Sequence, residues 1–165
     1  MPPILIVAYG NPLRSDDGVA FHLADALESN FAPSEVEILR LHQLAPEVAE
    51  TVSRFACVIF VDAAEPSPVA GSDSRAPGEI RVETLTAESE PASNARFSHA
   101  VSPTSVLRLA SRLFGSSPSA FVVTMTAESF GPGESLSPAV ASALPALVRR
   151  IQELVQAFLH QPRDS

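Results

Sequence analysis

Two adjacent carboxylates follow the first apolar segment of the chain, and their position is typical of a ligand site. The compact apolar run from Ile4 to Ala8 predicts a β-strand, and Gly10-Asn11-Pro12 follows it as a turn. Asp16 and Asp17 come next, directly before Val19 to Leu27, where apolar residues recur at helical spacing. In open α/β sheets ligands bind at the carboxyl ends of the strands, so this strand–loop–helix order places the two carboxylates in such a crevice.

Two other roles for Asp16 and Asp17 stay open at this point. Aspartates at a helix start often only cap the helix and interact with its dipole, which stabilises it by roughly 0.5–2 kcal/mol. A phosphate-binding turn would carry a G-x-G-x-x-G or G-x-x-x-x-G-K pattern, and this loop has neither. Because two carboxylates would also repel a phosphate, the loop favours a cation as its ligand.

Two further side chains that can bind metals follow predicted elements elsewhere in the chain. Asp62 ends the apolar run from Phe55 to Val61, and His99 lies in the polar loop before a predicted helix. If the first and third strands are neighbours, Asp17 and Asp62 meet at the same edge of the sheet. Two carboxylates and an imidazole suit Zn²⁺, Ni²⁺ or a similar divalent ion, but the three residues form no local motif. A capping role for Asp62 and a turn position for His99 are the structural alternatives.

The elements that would position these side chains alternate between strands and helices, which predicts an α/β sandwich with parallel central strands. After the first strand and helix, the pattern predicts strands Glu35–Leu41, Phe55–Val61, Gly78–Thr86 and Ser119–Thr126, helices Ala45–Arg54 and Val101–Phe114, and a long final helix. Gly78–Thr86 alternates apolar and charged residues and has no helix before it, so we expect an antiparallel strand at a sheet edge. In the final helix Ser137 predicts the N-cap, Pro138 the first residue and Pro145 a kink.

The composition is that of one globular domain with a net negative charge. At 165 residues the chain can bury a substantial core, and we expect a single domain over residues 1–165. The net charge is −8, from 11 basic and 19 acidic residues, which disfavours nucleic acid and anionic membranes because both need a basic footprint. The sequence shows no signal-peptide pattern, and no apolar run reaches the ~20 residues of a membrane span, so we expect a cytoplasmic protein.

Several other catalytic arrangements find no support in the sequence. Cys57 is the only cysteine and lies within a predicted strand, which excludes an intramolecular disulfide and favours a buried hydrophobe. Neither a G-x-S-x-G elbow nor an H-E-x-x-H helix occurs. Of the remaining histidines, we expect His22 and His160 at the surface, and His42 follows a predicted strand near the cleft.

Several segments, taken in order, resemble one protein family. The run Gly10-Asn11-Pro12-Leu13-Arg14-Ser15-Asp16-Asp17-Gly18 is similar to the G-N-x-L-x-x-D-D/E-G opening of the [NiFe]-hydrogenase maturation endopeptidases. Further matches follow in the right order, namely Val61-Asp62-Ala63, Ser98-His99, and Leu136-Ser137-Pro138 before the closing helix. The segment His42-Gln43-Leu44-Ala45-Pro46-Glu47 resembles the H-Q-L-x-P-E of the branch that serves bidirectional and related hydrogenases. The resemblance covers nearly the whole chain.

The resemblance implies both a fold and an activity. The fold would be a three-layer α/β/α sandwich whose five-stranded mixed sheet has one antiparallel, edge-type strand. Asp17, Asp62 and His99 would contact a metal, namely the nickel already inserted in the hydrogenase large-subunit precursor. The enzyme would sense this nickel, which the substrate supplies, and then remove a short C-terminal peptide from the precursor.

The resemblance also gives the neighbouring residues expected roles. A site with three protein ligands leaves coordination positions open for groups of the substrate. Hydrolysis would use a metal-polarised carbonyl, a metal-activated water or assistance from a carboxylate. We expect Asp16 to orient the loop or tune Asp17, Asn11 to hydrogen-bond the incoming tail, and His42 to bind substrate rather than metal. We also expect other divalent cations to occupy the site in vitro, and the protein to be a monomer.

Two functions from other classes are the alternatives. The first is a non-catalytic binding module on the same scaffold that checks or holds the metal centre. The second is a flavodoxin-like nucleotide binder, which the acidic first loop disfavours.

Overall fold

The sheet has five strands in the order β2-β1-β3-β5-β4, and it forms the middle layer of the molecule. A computed structural model of the chain describes residues 2–66, 75–89 and 101–162. The elements, in chain order, are β1 Ile4–Tyr9, a 3-10 turn Ser15–Gly18, α1 Val19–Leu27, β2 Val36–Leu41, α2 Val48–Val52, β3 Cys57–Ala64, β4 Ile80–Leu85, α3 Pro103–Phe114, β5 Ser119–Thr126 and α4 Pro138–Leu159. Four strands run parallel, and β4 pairs with β5 in the antiparallel direction at one edge.

Helices cover both faces of the sheet because successive side chains of a strand point to opposite faces. Ile4 and Ile6 of β1 pack in one cluster with buried residues of α1 and α4. Leu5 and Val7 of the same strand pack in a second cluster with buried residues of α2 and α3. Both clusters bury their central side chains completely, so the sheet is the rigid support for whatever lies along its carboxyl edge.

The ends of two helices follow from their local sequence. In α3, Ser102 accepts a hydrogen bond from the Ser105 backbone N–H, Pro103 occupies the first turn, and Gly115 ends the helix with a φ of 63°. In α4, Ser137 is the N-cap and Pro138 the first residue, as the sequence predicts. The helix continues through Pro145 for 22 residues in all.

The fold expected from the sequence is confirmed, with two local differences. The first and third strands are neighbours, and the fourth strand is antiparallel at an edge. The third strand, however, does not stop at Asp62: β3 extends to Ala64, because residues 62–64 keep pairing with β5. The second helix is only five residues long, since the segment from Ala45 begins as a turn. In the described ranges no helix is long and apolar enough to cross a membrane.

Candidate functional site

The loop of residues 10–18, called the motif loop below, folds back tightly on itself at the carboxyl end of β1. Gly10 has a φ of +146°, and a Cβ there would lie 2.1 Å from the backbone oxygen of Asp17. A Cβ at Gly18 would lie 2.8 Å from the Cα of Pro12. Both positions therefore need glycine, because any side chain would push the two halves of the loop apart.

Asp17 is held at the inner side of the motif loop. It lies in the 3-10 turn and exposes only 6% of its surface. Its Oδ2 accepts a hydrogen bond from the Asn11 backbone N–H at 3.0 Å, and its own N–H donates to the Arg14 carbonyl at 3.1 Å. The first bond holds the carboxylate close to the end of β1, and the second fixes the backbone of the turn.

Asp62 reaches the same edge of the sheet from the neighbouring strand. β1 and β3 are parallel, with Ala8 opposite Val61, so Asp62 lies one residue beyond the last pair of this register. The residue is half-buried, and its Oδ1 accepts a hydrogen bond from the Ala63 backbone N–H at 2.8 Å. The 3-10 turn that carries Asp17 packs against β3. Asp17 and Asp62 therefore belong to adjacent segments at one edge.

Asp16 is fully buried, and its carboxylate is bound by the segment that follows β5. Its Oδ2 accepts hydrogen bonds from the backbone N–H groups of Glu128 and Ser129, at 2.8 and 3.0 Å. The backbone N–H of Ser137 donates to Oδ1 at 2.7 Å, and the Ser137 hydroxyl donates to Oδ2 at 2.8 Å. Burial alone raises the pKa of Asp16, but the hydrogen bonds from these three residues outweigh it and hold the pKa below its usual value. The carboxyl is therefore ionised at neutral pH.

Backbone hydrogen bonds join the motif loop to the segment between β5 and α4. Ser15 N–H donates to the Gly133 carbonyl at 2.8 Å, and Gly133 N–H donates to the Leu13 carbonyl at 2.9 Å. The Asp16 N–H donates to the Ser129 carbonyl at 3.1 Å. The Ser15 hydroxyl donates to the Gly131 carbonyl at 2.8 Å. These contacts and those of the Asp16 carboxylate are called the clasp below.

The third predicted metal contact, His99, lies outside the described residues. In the part of the chain that the structure describes, no three histidine, cysteine or acidic side chains form a metal-binding group. His42 follows β2 at the same edge, is exposed, and has its ring centroid 6.0 Å from that of Phe21. Asn11 uses its Oδ1 to accept a hydrogen bond from the Leu13 backbone N–H at 2.9 Å, so this oxygen is engaged within the loop.

The other two histidines lie in α1 and at the end of α4. His160 is exposed at the end of α4, where its Nδ1 lies 2.8 Å from the Gln156 carbonyl oxygen. His22 is half-buried in α1. Cys57 is buried in β3, and burial raises the pKa of its thiol to about 12, so it is neither a nucleophile nor a ligand at neutral pH.

Sequence reasoning missed the second role of Ser137. The Ser-Pro pair before an apolar periodicity predicts the N-cap of α4, but it carries no signal for a partner in the motif loop. The bond from Ser137 to Asp16 spans 121 positions of the chain. Only the three-dimensional pairing of the two loops brings these residues together.

The fold and the acidic residues define the class of protein. It is a three-layer α/β/α protein with carboxylates along the carboxyl edge of a mixed sheet, which is where such sheets bind their ligands. Neither a family model nor a curated protein sequence matches the chain. Solved structures do. The hydrogenase maturating endopeptidase HybD from E. coli superposes with a TM-score of 0.69 and 25% identity over 95% of this chain and 93% of that one.

Two archaeal structures show the same fold. The [NiFe] hydrogenase maturation protease HycI from Thermococcus kodakarensis gives a TM-score of 0.68 and 20% identity, covering 93% of this chain and 92% of that one. The hydrogenase 2 maturation peptidase from a Thaumarchaeota archaeon gives 0.64 and 23%, covering 92% and 97%. The fold is thus that of the hydrogenase maturation endopeptidases, and the 25% identity with HybD supports membership of the chain in that family.

Proposed function

We propose that this protein is an endopeptidase that removes the C-terminal extension of a [NiFe]-hydrogenase large-subunit precursor after nickel insertion. The observation that carries the proposal is the position of Asp17 and Asp62 on adjacent segments at the carboxyl edge of the sheet. The HybD and HycI neighbours, which are maturation proteases by name, support the peptidase activity and suggest the partner.

In this proposal Asp17, Asp62 and His99 contact the nickel that the precursor carries. Carboxylate oxygens and an imidazole nitrogen are suitable ligands for this ion. Three protein ligands leave the remaining positions for groups of the precursor, so the nickel is a shared element of the enzyme–substrate complex. Recognition would then need both an inserted metal and a correctly placed tail. An empty precursor would lack the ion that joins the two proteins.

The position of α3 supports a third ligand from this part of the chain. Because α3 leads into the amino end of β5, a helix that runs back across the sheet would begin toward its carboxyl edge. His99 precedes the N-cap Ser102 by three positions in the sequence. In other divalent-metal peptidases the metal polarises the scissile carbonyl or activates a water, and a nearby carboxylate can receive the proton of that water. Both routes are compatible with two carboxylates at one edge.

Two neighbouring side chains are proposed to contact the precursor tail. The Asn11 side-chain amide lies at the start of the motif loop, and with its oxygen engaged by Leu13, only its NH₂ group is proposed to donate to the tail. His42 is exposed after β2 at the same edge, on the far side of β1 from Asp62. A tail that crosses the carboxyl ends of β2, β1 and β3 would pass both residues. Asp16 is proposed to orient the motif loop through the hydrogen bonds of the clasp.

The test is cleavage of purified precursor with and without nickel. Wild-type protein should release the tail only from nickel-loaded precursor, and Asp17→Asn, Asp62→Asn and His99→Ala should each abolish release while the circular dichroism spectrum stays unchanged. Asp25→Asn is the matched control, because Asp25 is an exposed aspartate of α1 that pairs with Arg40. Equal cleavage of loaded and empty precursor would overturn nickel recognition. Binding of loaded precursor without cleavage would instead identify a non-catalytic module that checks the metal centre.

The remaining parts of the proposal concern the free protein. We propose that it is a cytoplasmic monomer and that other divalent cations enter the site in vitro when the precursor is absent. Size-exclusion chromatography with light scattering checks the monomer. A mass consistent with two chains would contradict it.

A further inference from the structure

We propose that Ser137 is a positioning residue for Asp17, acting through the buried carboxylate of Asp16. The hydrogen bonds of Ser137 go to Asp16 and to its own helix, and it lies on a different element from the motif loop. This inference rests on the proposed function only in its effect on cleavage. Its structural part concerns the clasp alone and can be tested without a substrate.

Ser137 binds Asp16 more closely than its capping role requires. Its hydroxyl donates to Asp16 Oδ2 at 2.8 Å and accepts from the Val140 N–H at the longer distance of 3.4 Å. Ser102, the N-cap of α3, accepts from the Ser105 N–H at 3.1 Å. The hydroxyl of Ser137 is therefore set by the distant carboxylate more than by its own helix, because a charge-assisted bond is the stronger of the two.

Asp16, which accepts the hydroxyl bond of Ser137, lies where a negative charge is stabilised. Asp16 lies at the N-terminal end of α4, the longest helix, where the Ser137 N–H donates to Oδ1 at 2.7 Å. A helix N-terminus carries a partial positive charge that favours a carboxylate. The helix itself is anchored in the core by fully buried residues, including Leu147 and Ile151. The clasp thus ties the motif loop to a helix that is anchored in the core.

A shift of Asp16 would reach Asp17 directly. The two residues are consecutive in one 3-10 turn, and the Asp17 carboxylate accepts the Asn11 N–H at 3.0 Å. The backbone oxygen of Asp17 lies so close to Gly10 that the 3-10 turn has no room to move toward Gly10. Any rotation of the turn therefore changes where the Asp17 carboxylate points. A misplacement of about 1 Å in a catalytic group can cost roughly 100-fold in rate.

The experiment compares Ser137→Ala with Ser137→Thr and Val52→Ala. Ser137→Ala removes only the hydroxyl, whereas Ser137→Thr keeps it and restores the bond. Val52 is fully buried in α2, which leads to the amino end of β3, so Val52→Ala destabilises the fold far from the clasp. All three are measured under conditions in which each variant is fully folded.

The first readout is amide hydrogen exchange at Asn11, whose N–H reports the position of the Asp17 carboxylate. In Ser137→Ala this amide should exchange about tenfold faster or more, whereas Ser137→Thr and Val52→Ala should exchange within about twofold of wild type. The second readout is single-turnover cleavage of nickel-loaded precursor at saturating enzyme. The rate constant should fall about tenfold in Ser137→Ala and recover in Ser137→Thr.

The two readouts separate the possible failures. If Asn11 exchange in Ser137→Ala equals that in Val52→Ala, Ser137 is only a helix cap and the inference is wrong. If exchange rises but cleavage by Ser137→Ala stays normal, the positioning does not reach the reaction and the inference is also wrong. If wild-type protein cleaves no precursor, the proposed function fails, while the exchange result still decides on the clasp. Asp16→Asn tests the clasp independently of Ser137. It should also raise the exchange rate of the Asn11 amide, because the NH₂ group of the new asparagine would face hydrogen-bond donors.

Discussion

Replacing Asp16 with alanine tests how much of the stability depends on the clasp. The carboxylate is fully buried and accepts four hydrogen bonds, three of them from backbone N–H groups. Alanine offers no acceptor, so all four donors lose their partner. Each hydrogen bond to a charged group contributes about 1.5–3 kcal/mol net.

The expected loss is smaller than four such bonds. Glu128 and Ser129 are exposed and Ser137 is half-buried, so water can reach part of the released N–H groups. The four bonds also act as one unit around a single carboxylate, and their contributions do not add. We therefore expect Asp16→Ala to lower the free energy of unfolding by about 3–5 kcal/mol, equivalent to roughly two such bonds. For a domain of this size that corresponds to a fall in Tm of roughly 6–20 °C.

The assay is urea-induced unfolding followed by circular dichroism, with Asp25→Ala as the control. Asp25 is also an aspartate, but its side chain is 75% exposed and forms only a surface ion pair with Arg40. The control should therefore lose less than about 1 kcal/mol. The midpoint for Asp16→Ala should fall at an unchanged slope, which indicates lost stability rather than a change in the unfolded state. Equal midpoints for the two variants would refute the structural role of the buried carboxylate.

Three other perturbations have defined outcomes. Because the pKa of Asp16 is lowered in the folded protein, the unfolded chain binds more protons near pH 4. The stability that this carboxylate contributes is present above its unfolded pKa of about 3.9 and is lost as the pH falls through its folded pKa. The difference in unfolding free energy between wild type and Asp16→Asn should therefore narrow on acidification, and a constant difference down to about pH 2 would contradict the lowered pKa. Gly10→Ala should have a Tm well below that of Gly115→Ala. The reason is that a Cβ at Gly10 meets the Asp17 backbone oxygen at 2.1 Å, whereas a Cβ at Gly115 meets nothing within 4 Å. Equal Tm values would mean that the motif loop relaxes to accept the side chain. The buried Cys57 thiol, with a pKa of about 12, should resist a thiol reagent at pH 8 in the native protein and react fully in denaturant, and rapid native labelling would show that β3 opens.

The sequence predicts the sheet well because its signals are local and mutually consistent. The apolar run of β3 indicates a strand buried on both faces, and the alternating pattern of Ile80–Leu85 indicates an edge. The sequence pattern ends β3 three residues too early, because pairing with β5 holds Asp62 inside the strand despite its polarity. Strand pairing is a tertiary effect, so composition alone does not show where a strand stops.

The site was predictable only in part for a related reason. Asp16 and Asp17 are adjacent and look equivalent in the sequence, yet Asp16 is bound by the segment before α4 and Asp17 by Asn11 of its own loop. Their roles differ because the segment before α4 supplies four donors to Asp16, and this segment lies more than 100 positions away along the chain. The capping pattern at Ser137 therefore predicts the helix start but not the bond to Asp16. His99, expected as the third ligand, stays a prediction.

The central claim is that Asp17 and Asp62, with His99, gather around one divalent ion. A crystal structure of the protein soaked with Ni²⁺, read by anomalous scattering at the nickel edge, measures this directly. We expect one ion with a carboxylate oxygen from Asp17 and one from Asp62 within about 2.0–2.2 Å and an imidazole nitrogen from His99 at a similar distance, as for other first-row divalent sites. An ion bound elsewhere, or these three side chains on separate faces of the molecule, would contradict it.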